Sequence, residues 1–178
     1  MISLLRSGKS IEEIKKLIET ENLFSAATPL RSKQIFSTVA TRVSGLSDRF
    51  FDKFSDSNVE TQKLITLIAV MISDSLFFEF MNEVYREKMI TSDTVLTDVD
   101  VRVFFTGKQR ESEKVAAWTD ETLDRLHRCY KRYLVEAGLL ERGVGERKII
   151  KPLVDSSLSA LLSENDMKPI LRVLTGSR

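Results

Sequence analysis

The sequence predicts a mainly α fold, a helical bundle carrying a C-terminal winged-helix-like β-hairpin. Three observations carry that expectation. Capping residues followed by apolar positions at helical spacing recur from Ser10 to Ala137. Strand-like stretches occur only on either side of Gly143-Val-Gly145. The 178 residues, 42% hydrophobic and 30% charged, suffice for a substantial core but are short for two large domains.

In chain order, Ser10-Ile-Glu-Glu13 has the form of a capping box, and Ile11, Ile14, Leu17 and Ile18 then share one face of a helix ending near Asn22. Thr28-Pro29 opens a second helix, with proline suited to the first helical position. It runs through Ile35, Phe36, Val39, Ala40 and Val43 to Gly45. The short connection makes the pair compatible with a helix-turn-helix. Ser47-Asp48 starts a short helix with Phe50, Phe51 and Phe54, and one long helix is expected over 59–90.

Its run from Leu64 to Met81 resembles a membrane span until Asp74 and Glu79 are placed inside it. An acid near the bilayer centre costs about 2.5–3.5 kcal/mol, so a central buried helix is the better reading, with Asp74 at a surface or partner contact. Thr97-Asp98-Val-Asp100 opens another short helix with Val101, Val103, Phe104 and Phe105, ended by Gly107. Residues 108–117 read as a solvated helix or linker, and Trp118 as a hydrophobic staple. The expected division is an N-terminal bundle over 1–107 and a winged-helix-like region over 108–178 packed on it.

The last third reads differently. Thr119 caps a helix with Leu123, Leu126, Tyr130, Tyr133, Leu134 and Ala137 on its apolar positions, closed by Gly138. Leu139-Leu140 and Ile149-Ile150 flank the Gly143-Val-Gly145 turn as the arms of a hairpin. Helix, glycine cap, two leucines and a basic hairpin follow one another in the order of a recognition helix and its wing.

The net charge of +1 conceals opposed blocks. Residues 1–45 carry +3, residues 46–101 carry −6 and residues 125–151 carry +5. In the last block Arg125, Arg128, Lys131 and Arg132 fall along one helix flank, and Arg142, Arg147, Lys148 and Lys151 lie on the hairpin. A helix and wing so charged suit the phosphates on both sides of a DNA groove. Arg31, Lys33 and Arg42 on the second helix form a lesser candidate set.

No catalytic chemistry assembles. Ser7-Gly8-Lys9-Ser10 lacks the leading glycine of a phosphate loop, since position 3 is Ser3, and no strand precedes it. The one histidine, His127, lies about 200° around its helix from the one cysteine, Cys129. Neither a triad nor a multi-histidine metal site, nor an intrachain disulfide, can form from such a set. Asp93, Asp98 and Asp100 are better explained as acids opposite a helix dipole than as cation ligands. With no secretory signal at Met-Ile-Ser-Leu-Leu-Arg6, the expectation is a cytoplasmic, non-enzymatic protein without cofactor or metal.

Three short patterns carry a family resemblance: Ile11-Glu-Glu-Ile-Lys-Lys-Leu-Ile-Glu19 leading to Glu21-Asn-Leu-Phe24, Glu83-Val-Tyr-Arg-Glu-Lys88, and Ala137-Gly-Leu-Leu-Glu141. Together, over residues 1–155, they resemble the BrxA family of BREX bacteriophage-defence systems. That resemblance implies a NusB-like bundle with winged-helix-like portions, no enzymatic activity, double-stranded DNA as partner, and action beside other BREX components. Members have been labelled inner-membrane proteins, a location that Asp74 argues against. The rival expectations are a protein-interaction adaptor using the acidic block and its phenylalanines, or RNA binding through the bundle.

Overall fold

A computed structural model describes residues 1–177. The chain divides into two units, Met1–Ser73 and a second that starts at Asp74. Residues 74–107, which the sequence grouped with the N-terminal bundle, thus pack within the second unit.

The first unit contains α1 (Ile2–Arg6), α2 (Ile11–Thr20), α3 (Pro29–Val43), α4 (Asp48–Asp56) and α5 (Val59–Ser73). The capping box at α2 forms on both sides: the Ser10 amide donates to Glu13 Oε2 at 2.7 Å and the Glu13 amide to Ser10 Oγ at 3.2 Å. Thr28 caps α3 by accepting from the Arg31 amide, with Pro29 at its first position. Ile14, Ile18 and Phe36 are buried where α2 meets α3, with Leu4, Leu5 and Phe24 around them. On the other side, a β-carbon on Gly45 would lie 2.5 Å from Ile72 Cγ2, so only glycine lets the chain approach α5 this closely.

The long helix expected over 59–90 is two helices. α5 stops at Ser73, Asp74 takes an extended conformation, and its carboxylate accepts from the Phe77 amide at 3.0 Å as the cap of α6 (Ser75–Phe80). An aspartate offers the backbone this local alternative to helix, and here it wins inside an apolar run.

After α6 the helical path continues through a π-helical turn, Met81–Arg86, into α7 (Glu87–Ile90). There follow β1 (Val95–Leu96), α8 (Asp98–Glu111), α9 (Glu113–Ala116), α10 (Asp120–Ala137), β2 (Arg147–Lys148), α11 (Ser156–Glu164) and α12 (Lys168–Thr175). Gly107 does not end α8; the helix runs one further turn to Glu111. On this helix Val103 is 65% exposed while Val101, Phe104 and Phe105 are buried.

The predicted hairpin arms meet: Leu140 bridges Ile149, and the Ile150 amide donates to the Leu139 carbonyl at 2.9 Å. The return arm also pairs on its other edge with β1, antiparallel, setting Val95 opposite Lys148 and Leu96 opposite Arg147. From α7 onward the second unit therefore runs helix, strand, three helices, strand, loop, strand before its two final helices.

The Tyr85 side chain, fully buried on the π-helical turn, donates its hydroxyl to the Ile150 carbonyl at 2.9 Å and so ties the hairpin's return arm to the helical layer. Burial pushes the Tyr85 phenol well above its ordinary pKa, keeping it a donor at any ordinary pH. Tyr85→Phe leaves that carbonyl without its partner, so denaturant titration should show a loss of about 1–3 kcal/mol in stability.

Candidate nucleic-acid interface

The basic stripe is built on α10. Thr119 caps its first turn by accepting from the Thr122 amide, and Gly138, in the left-handed conformation that spares glycine a steric penalty, closes it. Tyr130 and Leu134 are buried on its inner face. The Tyr130 ring lies 4.9 Å from Phe77, 5.4 Å from Phe80 and 5.6 Å from Phe105, which fixes α10 against α6 and α8.

With that face inward, Arg125, Arg128 and Arg132 point to solvent at spacings of three and four. Arg132 lies 3.7 Å from Glu136, a pair exposed on both sides and therefore weak. Glu121 one turn before Arg125 and Glu136 one turn after Arg132 confine the basic surface to the middle of the helix.

Lys131 is not on this flank. It is only 7% exposed, and its ammonium is bound by the Asp98 carboxylate at the start of α8. Its helical angle lies nearer the inner stripe than Arg125 and Arg132 do, so it turns inward once a carboxylate is there to receive it. Lys131 is therefore not among the solvent-facing cations of α10. Asp98 is held below the usual carboxylate range, chiefly by the hydrogen bond from Lys131.

On the hairpin, Arg142, Lys148 and Lys151 are exposed, while Arg147 is partly covered and its Nε has no hydrogen-bond partner among the described residues. Val144, between the two glycines, is 97% exposed at the tip. Gly145, at φ 74°, lets the loop turn back into β2.

The lesser set does not assemble into one patch. Arg31 is exposed and donates to Gln34 Oε1 at 3.3 Å, Lys33 pairs with Glu19 across α2 and α3 at 3.3 Å, and Arg42 is engaged near the other end of α3.

Acids suggested by the sequence are also spent internally. Lys88 is held by Asp93 at 2.6 Å and Asp100 at 3.0 Å. Among the described residues, no group of three or more His, Cys, Asp or Glu side chains is placed to hold a metal. No single helix among them is long and apolar enough to cross a membrane.

These features define a small helical protein with a basic helix and hairpin on its second unit. The model of the BrxA family matches residues 1–166. The BREX protein BrxA of Bacillus cereus (strain H3081.97) is 42% identical over 152 residues, 85% of this chain and 76% of that protein. Among solved structures, an uncharacterized protein from Magnetospirillum magneticum has the same fold, with a TM-score of 0.83 at 17% identity, covering 99% of this chain and 90% of the other. The chain belongs to the BrxA family of BREX bacteriophage-defence systems.

His127 lies half-buried beside the Lys131–Asp98 ion pair. Its Nε2 lies 3.4 Å from Asp98 Oδ1, the oxygen that also receives the Lys131 ammonium. Burial and the Lys131 charge, with a smaller contribution from Arg102, outweigh the attraction of Asp98 and lower the His127 pKa below its ordinary 6.5. A depressed histidine binds fewer protons folded than unfolded just below pH 6.5. Stability should therefore be fully present above pH 6.5 and fall as the pH drops toward the folded-state value. Because His127 is the one histidine in the chain, thermal melts of His127→Gln should lack this dependence between pH 7 and 5.

Proposed function

We propose that this protein is a non-enzymatic, double-stranded DNA-binding accessory component of its BREX system, acting in the cytoplasm beside other BREX proteins. The observation that carries this reading is the solvent-facing stripe of Arg125, Arg128 and Arg132, which precedes a hairpin bearing Arg142, Lys148 and Lys151. The order of elements supports a winged-helix assignment for the second unit, with α10 as recognition helix and residues 142–146 as wing. β1 completes that pattern, pairing with the wing's return strand as the first strand of such a module does.

In this reading the arginines of α10 meet phosphates and base edges while the lysines around β2 meet the backbone across the groove. Arg31, Lys33 and Arg42 contribute at most secondary phosphate contacts. The protein's other polar groups contribute no chemistry to the DNA; the function is recognition and placement.

Arg125→Glu with Arg128→Glu should weaken duplex binding and lower the magnitude of the log–log salt slope by about 2, from about 0.9 for each lost phosphate contact. Fluorescence anisotropy at several salt concentrations measures both. Lys131→Met, by contrast, should lower stability and leave the slope of the folded protein unchanged.

A further inference from the structure

The DNA reading leaves unused a groove of about 430 Å³ between the π-helical turn with α7 on one side and α8 on the other. Glu83 and Glu87 form one wall, Val103, Gly107 and Glu111 the other, and Lys108 lies between them.

Gly107 stands in the interior of α8, where glycine weakens a helix relative to alanine. A β-carbon at this position would meet nothing within 4 Å, so no neighbour in the protein requires the missing side chain. Small residues at such places let another backbone approach closely. One turn before Gly107 is the exposed Val103, and one turn earlier is Val99, 57% exposed, so an apolar seam leads into the glycine.

The electrostatics select the sign of what could lie there. Four carboxylates and two ammoniums line the groove, and both ammoniums are already committed. Lys108 is bound by Glu79 at 2.8 Å, Glu83 at 2.8 Å and Glu111 at 3.0 Å. Lys88 is bound by Asp93 and Asp100. Glu87 is in turn paired with Arg86 at 3.3 Å. Six carboxylates, Glu79, Glu83, Glu87, Asp93, Asp100 and Glu111, thus share three cations, Arg86, Lys88 and Lys108, and the excess negative charge repels nucleic acid and attracts cationic side chains.

We propose that this groove is a docking site for an α-helix of a partner protein, which lays an apolar ridge along Val99, Val103 and Gly107 and directs lysine or arginine side chains to Glu83, Glu87 and Glu111. From Val99 to Glu111 the seam is about 18 Å long, enough for roughly three turns of the incoming helix. The close approach at Gly107 sets the crossing point, and the carboxylates set the polarity of the partner's flanks. This site is separate from the DNA-binding residues and does not depend on them.

Two synthetic helical peptides with the same leucine and alanine face, one flanked by lysines and one by glutamates, serve as probes against the isotope-labelled full chain. The lysine peptide should shift the amide resonances of Val103, Gly107 and Glu111 saturably, and the glutamate peptide should not. Gly107→Leu should weaken that binding at least about tenfold, and Val103→Lys, which removes the apolar contact and adds a like charge, should do the same should the leucine variant fail to fold. Gly107→Ala should melt higher than the parent, as expected where the fold has no need of glycine. The proposal is overturned if neither peptide shifts these resonances, if both do so equally, if duplex DNA shifts them instead, or if Gly107→Ala melts lower.

Discussion

The placement of Tyr130 is the constraint on which the second unit depends. Its ring packs among Phe77, Phe80 and Phe105, and Phe80 in turn lies 5.4 Å from Phe104. These rings come from α6, α8 and α10, three helices far apart in sequence, and their edge and tilted contacts fix how α10 is rotated about its axis. That rotation decides everything exposed. With Tyr130 and Leu134 inward, the arginines three and four residues apart must face solvent, and Gly138 must deliver Leu139 and Leu140 into the core before the hairpin begins.

Charge is then divided between buried pairs and open surface. Lys88, Lys108 and Lys131 are each largely covered and each bound by carboxylates. For Lys108, burial alone would lower the pKa, but Glu79, Glu83 and Glu111 more than reverse it and hold the group charged. Such pairs fix the relation between helices more than they add stability, because desolvation offsets much of the attraction. The open surface then carries arginine on the α10 stripe and around the hairpin, while the carboxylates on the walls of the α7–α8 groove are paired with Arg86, Lys88 and Lys108.

The parts of this fold legible in the sequence were those set locally. Capping at Ser10, Thr28, Thr97 and Thr119 and the glycine closure at Gly138 depend on a few adjacent residues, and each stands where its pattern indicated. Long-range partners decided the rest. Lys131 has the same spacing from Arg128 as any flank residue, and only the arrival of Asp98 from α8 draws it inward. The break at Asp74 was hidden by the continuous apolar run around it, although an aspartate three residues before Phe77 is the signal of a helix start. β1 is two residues long and owes its existence to the return arm of the hairpin, a pairing across some fifty residues that no local pattern encodes. Of the candidate site, the α10 arginines and the exposed hairpin cations were readable from helix faces, whereas the groove at Gly107 was not, because the sequence alone presents that glycine as a helix terminator.

Salt dependence of the parent protein's affinity for a short DNA duplex reports on the proposed basic surface as a whole. Six outward-facing cations, Arg125, Arg128, Arg132, Arg142, Lys148 and Lys151, set an upper limit of about −5 on the log–log slope if all of them displace counterions. Saturable binding at low salt with a slope of about −3 to −5 is expected. Absence of saturable duplex binding at low salt, or binding whose slope lies near zero, would contradict the DNA-binding role.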